Sequence, residues 1–478
     1  MTSKSFKKNI FIRFLFQIPV HLRGFIVLPL LTRTYPQEVY GVWLQIILLK
    51  EILIPLLSLR LETVIIRYLA HEENKTRLIK SVFTITLCCS IFFIASLILF
   101  PDSISSLLFG TNKFHLLLFL ASTWISILAC MHVGLVVLRS QEKIKKLSLR
   151  ELLSTLWMIA SVTVAYLLRL DVNVLIVLCI IGDFILLVWT MRQIGIPVPL
   201  LSPISAISNV KKYFSYAAPL IFNSLFLWFT KSIDRFLIIH LIGLATFSVY
   251  GVGLQIAGIL AVVLSPINFV LFPRATASWK PDGKDEAAKY FSQALTMTLI
   301  FSAPVMVGLL AVSGGLVPLL AGPAYAFTTG LLFFLLISAF STMVYQNHIY
   351  VIHLVEKTYF LPIIFIFTAA LNFALGYFLI SKYSLIGAGL ARCATMVAMG
   401  AIITIWAKKY IKFSLPWLLI IKTFAAALLM GIAIYLLPTQ TWKQLIVVTI
   451  SGVLIYVLLL IIFRVITMEA LVKLRNSF

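Results

Sequence analysis

Long apolar runs dominate the chain, and short polar connections separate them. Fourteen of these runs approach the roughly 20 residues that a helix needs to cross a bilayer, and they lack the alternation of a barrel strand, which crosses in about 9–11 residues. The pattern therefore predicts an all-α polytopic membrane protein with fourteen transmembrane helices. The predicted spans are residues 10–32, 40–59, 81–100, 114–137, 152–168, 172–191, 213–240, 249–272, 291–312, 330–350, 359–379, 384–407, 415–436 and 445–463.

Composition supports this class of protein. The chain has 478 residues, of which 61% are hydrophobic and only 12% are charged, whereas soluble proteins carry about 25% charged residues. The net charge of +23 would suggest a nucleic-acid partner in a soluble protein, but here it first reports topology, because basic residues collect on the cytoplasmic side. We therefore expect no nucleic-acid partner and two cytoplasmic termini. Only a few basic residues then fall in outer loops: Arg33, Lys113, Arg169, Lys382 and Lys443.

A short motif occurs twice and predicts an internal repeat. Tyr40-Gly-Val-Trp-Leu-Gln-Ile46 and Tyr250-Gly-Val-Gly-Leu-Gln-Ile256 differ at one position. An offset of six helices relates two halves by a pseudo-two-fold axis along the membrane normal. We predict an N-terminal lobe of six spans (1–195), a C-terminal lobe of six spans (196–410), and two further helices with a cytoplasmic C-terminus (411–478). Tyr40 and Tyr250 would lie near the outer interface, where aromatic side chains anchor helices.

Motifs for enzymatic chemistry are missing from the sequence. There is no GxxxxGK[ST], HExxH or GxSxG pattern. The five cysteines lie inside apolar runs without metal-ligand spacing, so neither disulfides nor a metal site is predicted. We expect a transporter without catalytic residues or cofactor, with a cavity between its halves.

Cationic side chains within predicted spans are the first candidates for substrate binding, because charge inside a membrane is costly and usually functional. Arg23 lies in the first span, Lys231 and Arg235 in the seventh, and Arg392 in the twelfth. Guanidinium and ammonium groups favour an anionic ligand. Asp234 shares a helix face with Lys231 and Arg235, at spacings i, i+3 and i+4. The alternative is that this triplet forms an internal ion pair that locks the seventh span to its neighbours.

Two intramembrane carboxylates are candidates for ion coupling. Glu51 follows Lys50 near the middle of the second span, and Asp183 lies in the sixth. Adjacent helical residues point about 100° apart, so Lys50 and Glu51 are expected to meet different neighbours. The alternative interpretation of both carboxylates is a structural ion pair.

Several segments resemble polysaccharide exporters of the multidrug/oligosaccharidyl-lipid/polysaccharide flippase superfamily. The segment Asp234-Arg-Phe-Leu-Ile238, followed by Gly243, is similar to the seventh and eighth helices of that family. Leu371-Asn372 and Ile386-Gly-Ala-Gly-Leu-Ala391 resemble its eleventh and twelfth helices. Pro29-Leu-Leu-Thr-Arg33 is similar to its opening. The nearest branch is that of the O-antigen, or Wzx-type, flippases.

This resemblance implies a V-shaped alternating-access transporter in a bacterial inner membrane. It would move an undecaprenyl-pyrophosphate-linked oligosaccharide from the cytoplasmic to the outer face, as part of lipopolysaccharide or other surface-polysaccharide biosynthesis. The implied partners are this lipid-linked substrate, the bilayer, and a polysaccharide polymerase with its chain-length regulator. Alternatives are a cation-coupled exporter of drugs or small solutes that uses Glu51, Asp183 and Asp234, a peptidoglycan-precursor flippase, and a scaffold for a polymerase complex.

Overall fold

The computed structural model describes residues 16, 19–20, 23–195, 201–261, 275–276, 278–279, 284–411 and 416–465. Over these residues the regular structure is helical, which confirms the all-α prediction. In chain order the helices are α1 (described over 23–34), α2 (Gln37–Leu57), α3 (Glu62–Tyr68), α4 (Lys75–Leu99), α5 (Pro101–Phe109), α6 (His115–Ser140), α7 (Ile144–Leu168), α8 (Val172–Ile194), α9 (Pro203–Val210), α10 (Phe214–Ile242), α11 (Leu244–Ala257), α12 (Lys284–Ala321), α13 (Thr329–Leu354), α14 (Leu361–Ala407), α15 (Trp417–Tyr435) and α16 (Trp442–Ile462).

The described helices confirm a multi-pass membrane protein. Eleven of them are long and apolar enough to cross a membrane. One of these, α14, contains two helices that meet at Ser384, where the backbone is not helical (φ 51°, ψ −131°). The helix α10 is 29 residues long but is more polar, since it carries Lys231, Asp234 and Arg235. The count of fourteen spans stays a prediction, because α1 is described only in part.

Helix ends follow local sequence signals. The side chain of Asn74 caps α4 by accepting the backbone N–H of Arg77 at 3.0 Å, and Asp171 caps α8 by accepting that of Asn173 at 3.0 Å. Such caps satisfy backbone donors that a first helical turn leaves unpaired. Thr441 and Gln444 form a capping box at the start of α16.

The chain divides into two compact units, Met1–Ser248 and Val249–Phe478. A core of the first unit joins residues of α3, α4, α6 and α8 with α9 and the start of α10. In the second unit, α13 packs against α14, and a separate core joins α12, α15 and α16. The first unit thus contains α9 and α10 as well as the six spans placed in the N-terminal lobe. The lobe boundaries stay predictions.

Two details differ from the sequence analysis. Tyr40 and Tyr250 are almost fully buried, so their predicted role as interface anchors is wrong. The motif packs inside the protein instead: a Cβ on Gly41 would lie 2.5 Å from the carbonyl oxygen of Leu244. The fifth span was predicted to start at residue 152, but α7 begins at Ile144. Apolar runs stop at charged residues, whereas the helix continues through them.

Candidate functional site

A cavity of about 210 Å³ lies within the first unit. Its wall is built from α1, α2, α6, α7 and α8. Arg23 and Lys50 bring positive charge to this wall, and Asp183 brings the one carboxylate among the described lining residues. Polar and aromatic groups complete it, namely His132, Ser154, Cys179, Trp124 and Trp157.

Asp183 joins three helices through one carboxylate. The indole Nε1 of Trp124 on α6 donates to Oδ2 at 2.9 Å, and the hydroxyl of Ser154 on α7 donates to Oδ1 at 2.9 Å. The guanidinium Nη2 of Arg150, also on α7, lies 3.6 Å from Oδ1. Asp183 therefore has a structural task, because these contacts compensate the cost of placing a carboxylate inside the protein.

Arg150 is the least exposed charged group near the cavity, with 1% of its side chain accessible. Its nitrogens make no hydrogen bond to any protein group in the described part of the chain, so the ion pair with Asp183 is the contact that balances its charge there. Removing the carboxylate partner of a buried cation strongly destabilises the folded protein, because the cation then has no counter-charge.

Lys50 lies next to the packed rings of Trp124 and Trp43 at the cavity wall. The Lys50 Nζ lies 5.1 Å from the Trp124 ring centroid, within the range of a cation–π interaction. Trp43 packs on Trp124 with ring centroids 5.8 Å apart. Because the Trp124 indole also donates to Asp183, its orientation is fixed, and Lys50 lies at the cavity without a salt bridge to any carboxylate of the described residues.

Trp157 reaches the cavity because Gly182 leaves room for it. A Cβ built on Gly182 of α8 would overlap the indole of Trp157 on α7. With that space free, Nε1 of Trp157 donates to the backbone carbonyl of Leu178 at 2.9 Å. The glycine thus lets two neighbouring helices approach closely with an aromatic ring between them.

We expect Gly182→Ala to lower the free energy of unfolding by about 1–3 kcal/mol, as for other overpacking substitutions. Thermal unfolding of the purified protein in detergent measures the effect. Gly314→Ala is the matched control, since no described atom beyond its own stretch of helix lies within 4 Å of the position that its Cβ would take, and alanine favours a helix interior. Adding Trp157→Leu to Gly182→Ala should recover part of the loss, and an equally unstable pair would contradict the packing explanation.

The other predicted site residues are not among those that line this cavity. Glu51 is exposed, whereas its neighbour Lys50 lines the cavity. On α10, Asp234 is buried and Lys231 and Arg235 are partly exposed, and none of the three lines the cavity. Arg392 lies on α14 in the second unit and is partly exposed. Arg23 is therefore the predicted substrate-binding residue that lines the cavity of the first unit.

Contacts in the first unit also hold α10 against α2, α3 and the connection to α4. The backbone at Arg60 has φ 56°, and its guanidinium Nε donates to the hydroxyl of Ser224 at 2.8 Å. The hydroxyl of Tyr213 donates to the carboxylate of Glu72, and Lys212 Nζ lies 3.3 Å from the same carboxylate. The hydrogen bond from Tyr213 lowers the pKa of Glu72, and Lys212 adds to this effect. These contacts therefore persist at neutral pH.

Solved structures share this fold. The chain is similar to the lipid II flippase MurJ in an inward closed conformation, with 15% identity, a TM-score of 0.78, and coverage of 94% of this chain and 99% of that one. It is also similar to an inward-facing multidrug resistance MATE family transporter of the MOP superfamily (13% identity, TM-score 0.60, 82% and 94% covered). A mutant of the Vibrio cholerae MATE transporter VcmN matches with 12% identity, a TM-score of 0.59, and coverage of 85% and 98%. A search of curated proteins gave no match.

A sequence model of polysaccharide biosynthesis proteins matches residues 30–328, which is more than half of the chain. The chain belongs to the polysaccharide biosynthesis protein family. Together with the MOP-superfamily fold, this membership confirms the resemblance to polysaccharide flippases. The matched region includes α2 to α8 and the cavity residues on these helices. It ends at residue 328, directly before α13.

Sequence reasoning missed most of the cavity of this polysaccharide biosynthesis protein. Lys50 was interpreted as a pairing residue, and Arg150 fell outside the predicted span. A usable signal exists on α7, where Arg150, Ser154 and Trp157 recur at spacings of four and three residues, which marks one helix face. The aromatic residues Trp124 and Trp157 gave no comparable signal, because aromatic residues are frequent throughout the chain.

Proposed function

We propose that the protein is a flippase for an undecaprenyl-pyrophosphate-linked oligosaccharide, such as an O-antigen repeat unit. It would move this lipid-linked substrate from the cytoplasmic to the outer leaflet of a bacterial inner membrane, with both of its termini in the cytoplasm. Membership in the polysaccharide biosynthesis family supports this class of substrate. The observation that carries the proposal is the cavity wall, where Arg23 and Lys50 outnumber the one described carboxylate, which Arg150 also contacts.

The charges of the cavity suit a pyrophosphate better than a cation. Arg23 would grip phosphate oxygens through a bidentate pair, and Lys50 would supply a point charge. We propose Lys231, Arg235 and Arg392 as further cationic contacts for the pyrophosphate or for acidic sugars, with Asp234 orienting its two neighbours. An inside-negative potential would assist export, because one elementary charge crossing 100 mV changes the free energy by about 2.3 kcal/mol.

Ion coupling concerns the two intramembrane carboxylates, Glu51 and Asp183. Asp183 already accepts two hydrogen bonds and pairs with Arg150, which favours its structural interpretation over a free proton site. Glu51 is exposed and stays the other candidate for ion coupling.

A polysaccharide polymerase and a chain-length regulator are the proteins that would act on the exported repeat unit, and we propose them as functional partners.

Deletion of the gene tests the proposed substrate. We expect the deletion strain to lose surface polysaccharide and to accumulate lipid-linked repeat units that stay accessible from the cytoplasm. Mass spectrometry of extracted lipids measures the accumulation, and expression of the intact chain should reverse both effects. Unchanged surface polysaccharide would overturn the proposal. A block of peptidoglycan synthesis alone would instead identify a peptidoglycan-precursor flippase, and altered drug sensitivity alone would identify a multidrug exporter.

A further inference from the structure

The short helix α9 has an apolar face that points away from the first unit. Ala206 and Val210 are buried in the core shared with α4. Ile204 and Ile207 are three residues apart and share a face, yet they are 84% and 57% exposed. The helix is therefore apolar on two sides, and its own unit covers only one of them.

Two hydrogen bonds show that α9 lies across α4. The backbone N–H of Leu201 donates to the hydroxyl of Thr84 at 3.2 Å, and Asn209 Nδ2 donates to the hydroxyl of Ser81 at 3.0 Å. At 1.5 Å per residue, the helical segment 203–209 advances about 9 Å and Leu201 lies beyond its start, while the two contact points on α4 are only about 4.5 Å apart along its axis. Because α4 is long and apolar enough to cross the membrane, α9 runs closer to the membrane plane than to its normal.

Basic side chains lie near the C-terminal end of α9. Lys211 follows α9 directly and is exposed, as are Lys75 and Arg77 in the first turn of α4. The hydroxyl of Ser81 donates to the carbonyl oxygen of Arg77 at 2.8 Å, so Asn209 contacts α4 one turn from Arg77. The C-terminal end of α9 and the first turn of α4 therefore form one basic edge beside the apolar face.

We propose that α9 is an interfacial helix that binds anionic phospholipids of the inner leaflet. Ile204 and Ile207 enter the boundary between headgroups and acyl chains, and Lys75, Arg77 and Lys211 contact lipid phosphates. An apolar face edged with lysine and arginine has the chemistry that such a surface recognises. This proposal depends on the membrane-spanning fold and not on the identity of the transported substrate.

Depth measurements on the full chain test the apolar part of the proposal. A spin label is placed at Ile204→Cys, with the native cysteines replaced by serine, and the protein is reconstituted in vesicles of phosphatidylethanolamine with about 30% phosphatidylglycerol, a composition that gives a negative surface. We expect the label to collide with oxygen dissolved in the lipid, and a label at the exposed Glu73 on the connection between α3 and α4 to collide with a water-soluble nickel reagent. A label at Ile204 that stays in water, or that is immobilised by self-association of the protein, would overturn the proposal.

Lipid retention tests the basic edge. The triple variant Lys75→Gln, Arg77→Gln, Lys211→Gln should retain about twofold less phosphatidylglycerol in native mass spectrometry, because each lost cation weakens attraction to anionic lipid. The matched variant Lys113→Gln changes an exposed lysine on the connection between α5 and α6 and should retain as much as the unmodified chain. Equal retention by the triple variant and the unmodified chain would contradict the role of the basic edge.

Discussion

Replacing Asp183 by alanine is expected to lower the free energy of unfolding by about 3–5 kcal/mol, the usual cost of removing one partner of a buried ion pair. The substitution leaves Arg150 inside the protein with its nearest counter-charge gone. It also removes the acceptor for Trp124 and Ser154, so the contacts that Asp183 makes to α6 and α7 are lost together. Thermal unfolding in detergent, followed by tryptophan fluorescence, measures the change.

A double variant without either charge shows whether the effect comes from the ion pair. The variant Arg150→Met, Asp183→Leu removes both charges and should be much more stable than Asp183→Ala, because apolar residues often replace a buried pair at little cost. Glu73→Gln, which changes an exposed carboxylate, is the control for loss of negative charge alone. Stability of Asp183→Ala equal to that of the unmodified chain would contradict this account of the cavity wall.

The same double variant separates two roles of Asp183. If the carboxylate only ties the helices together, the stabilised double variant should transport substrate at a rate near that of the unmodified chain. Loss of transport in a well-folded double variant would instead support the ion-coupling role that the sequence allowed. Stability and transport must therefore be measured on the same preparations.

Apolar run length predicts the fold well, because the cost of exposing backbone and charge to lipid constrains every span in the same way. Arg23 could be identified for a related reason, since a guanidinium in a membrane span is unusual. Run length does not report how a helix is rotated about its axis. Lys50 and Glu51 are adjacent, yet Lys50 lines the cavity and Glu51 is exposed, and only the packing of α2 against its neighbours decides between them.

Arg150 shows a second limit of the sequence. Its position near the start of α7 resembles that of the basic residues that mark the cytoplasmic side, such as Lys145 and Lys146, which are exposed. Arg150 instead lies buried against Asp183, more than thirty residues later in the sequence. This pairing depends on how α7 and α8 pack, with Gly182 allowing their close approach around Trp157.

Removal of the cavity cations should affect transport without weakening the fold. Arg23→Gln and Lys50→Gln are each expected to reduce substrate affinity by about 10- to 150-fold, since a hydrogen bond to a charged group contributes about 1.5–3 kcal/mol. Arg23 and Lys50 lie on the same small cavity and repel each other, so either substitution should leave the unfolding temperature unchanged or raised. This is the opposite of the result expected for Asp183→Ala.

Complementation of a deletion strain measures this effect as the amount of surface polysaccharide, with the amount of membrane-inserted protein determined in parallel. Arg23→Lys keeps the charge but loses the planar guanidinium group. If charge dominates substrate binding, Arg23→Lys should retain more activity than Arg23→Gln. If bidentate contact dominates, the two variants should be equally impaired. Lys113→Gln is again the control for loss of an exposed lysine. Full complementation by the double variant Arg23→Gln, Lys50→Gln would show that these cavity cations are not needed for transport. Loss of transport with an intact fold would assign the two cations to binding of the anionic part of the substrate.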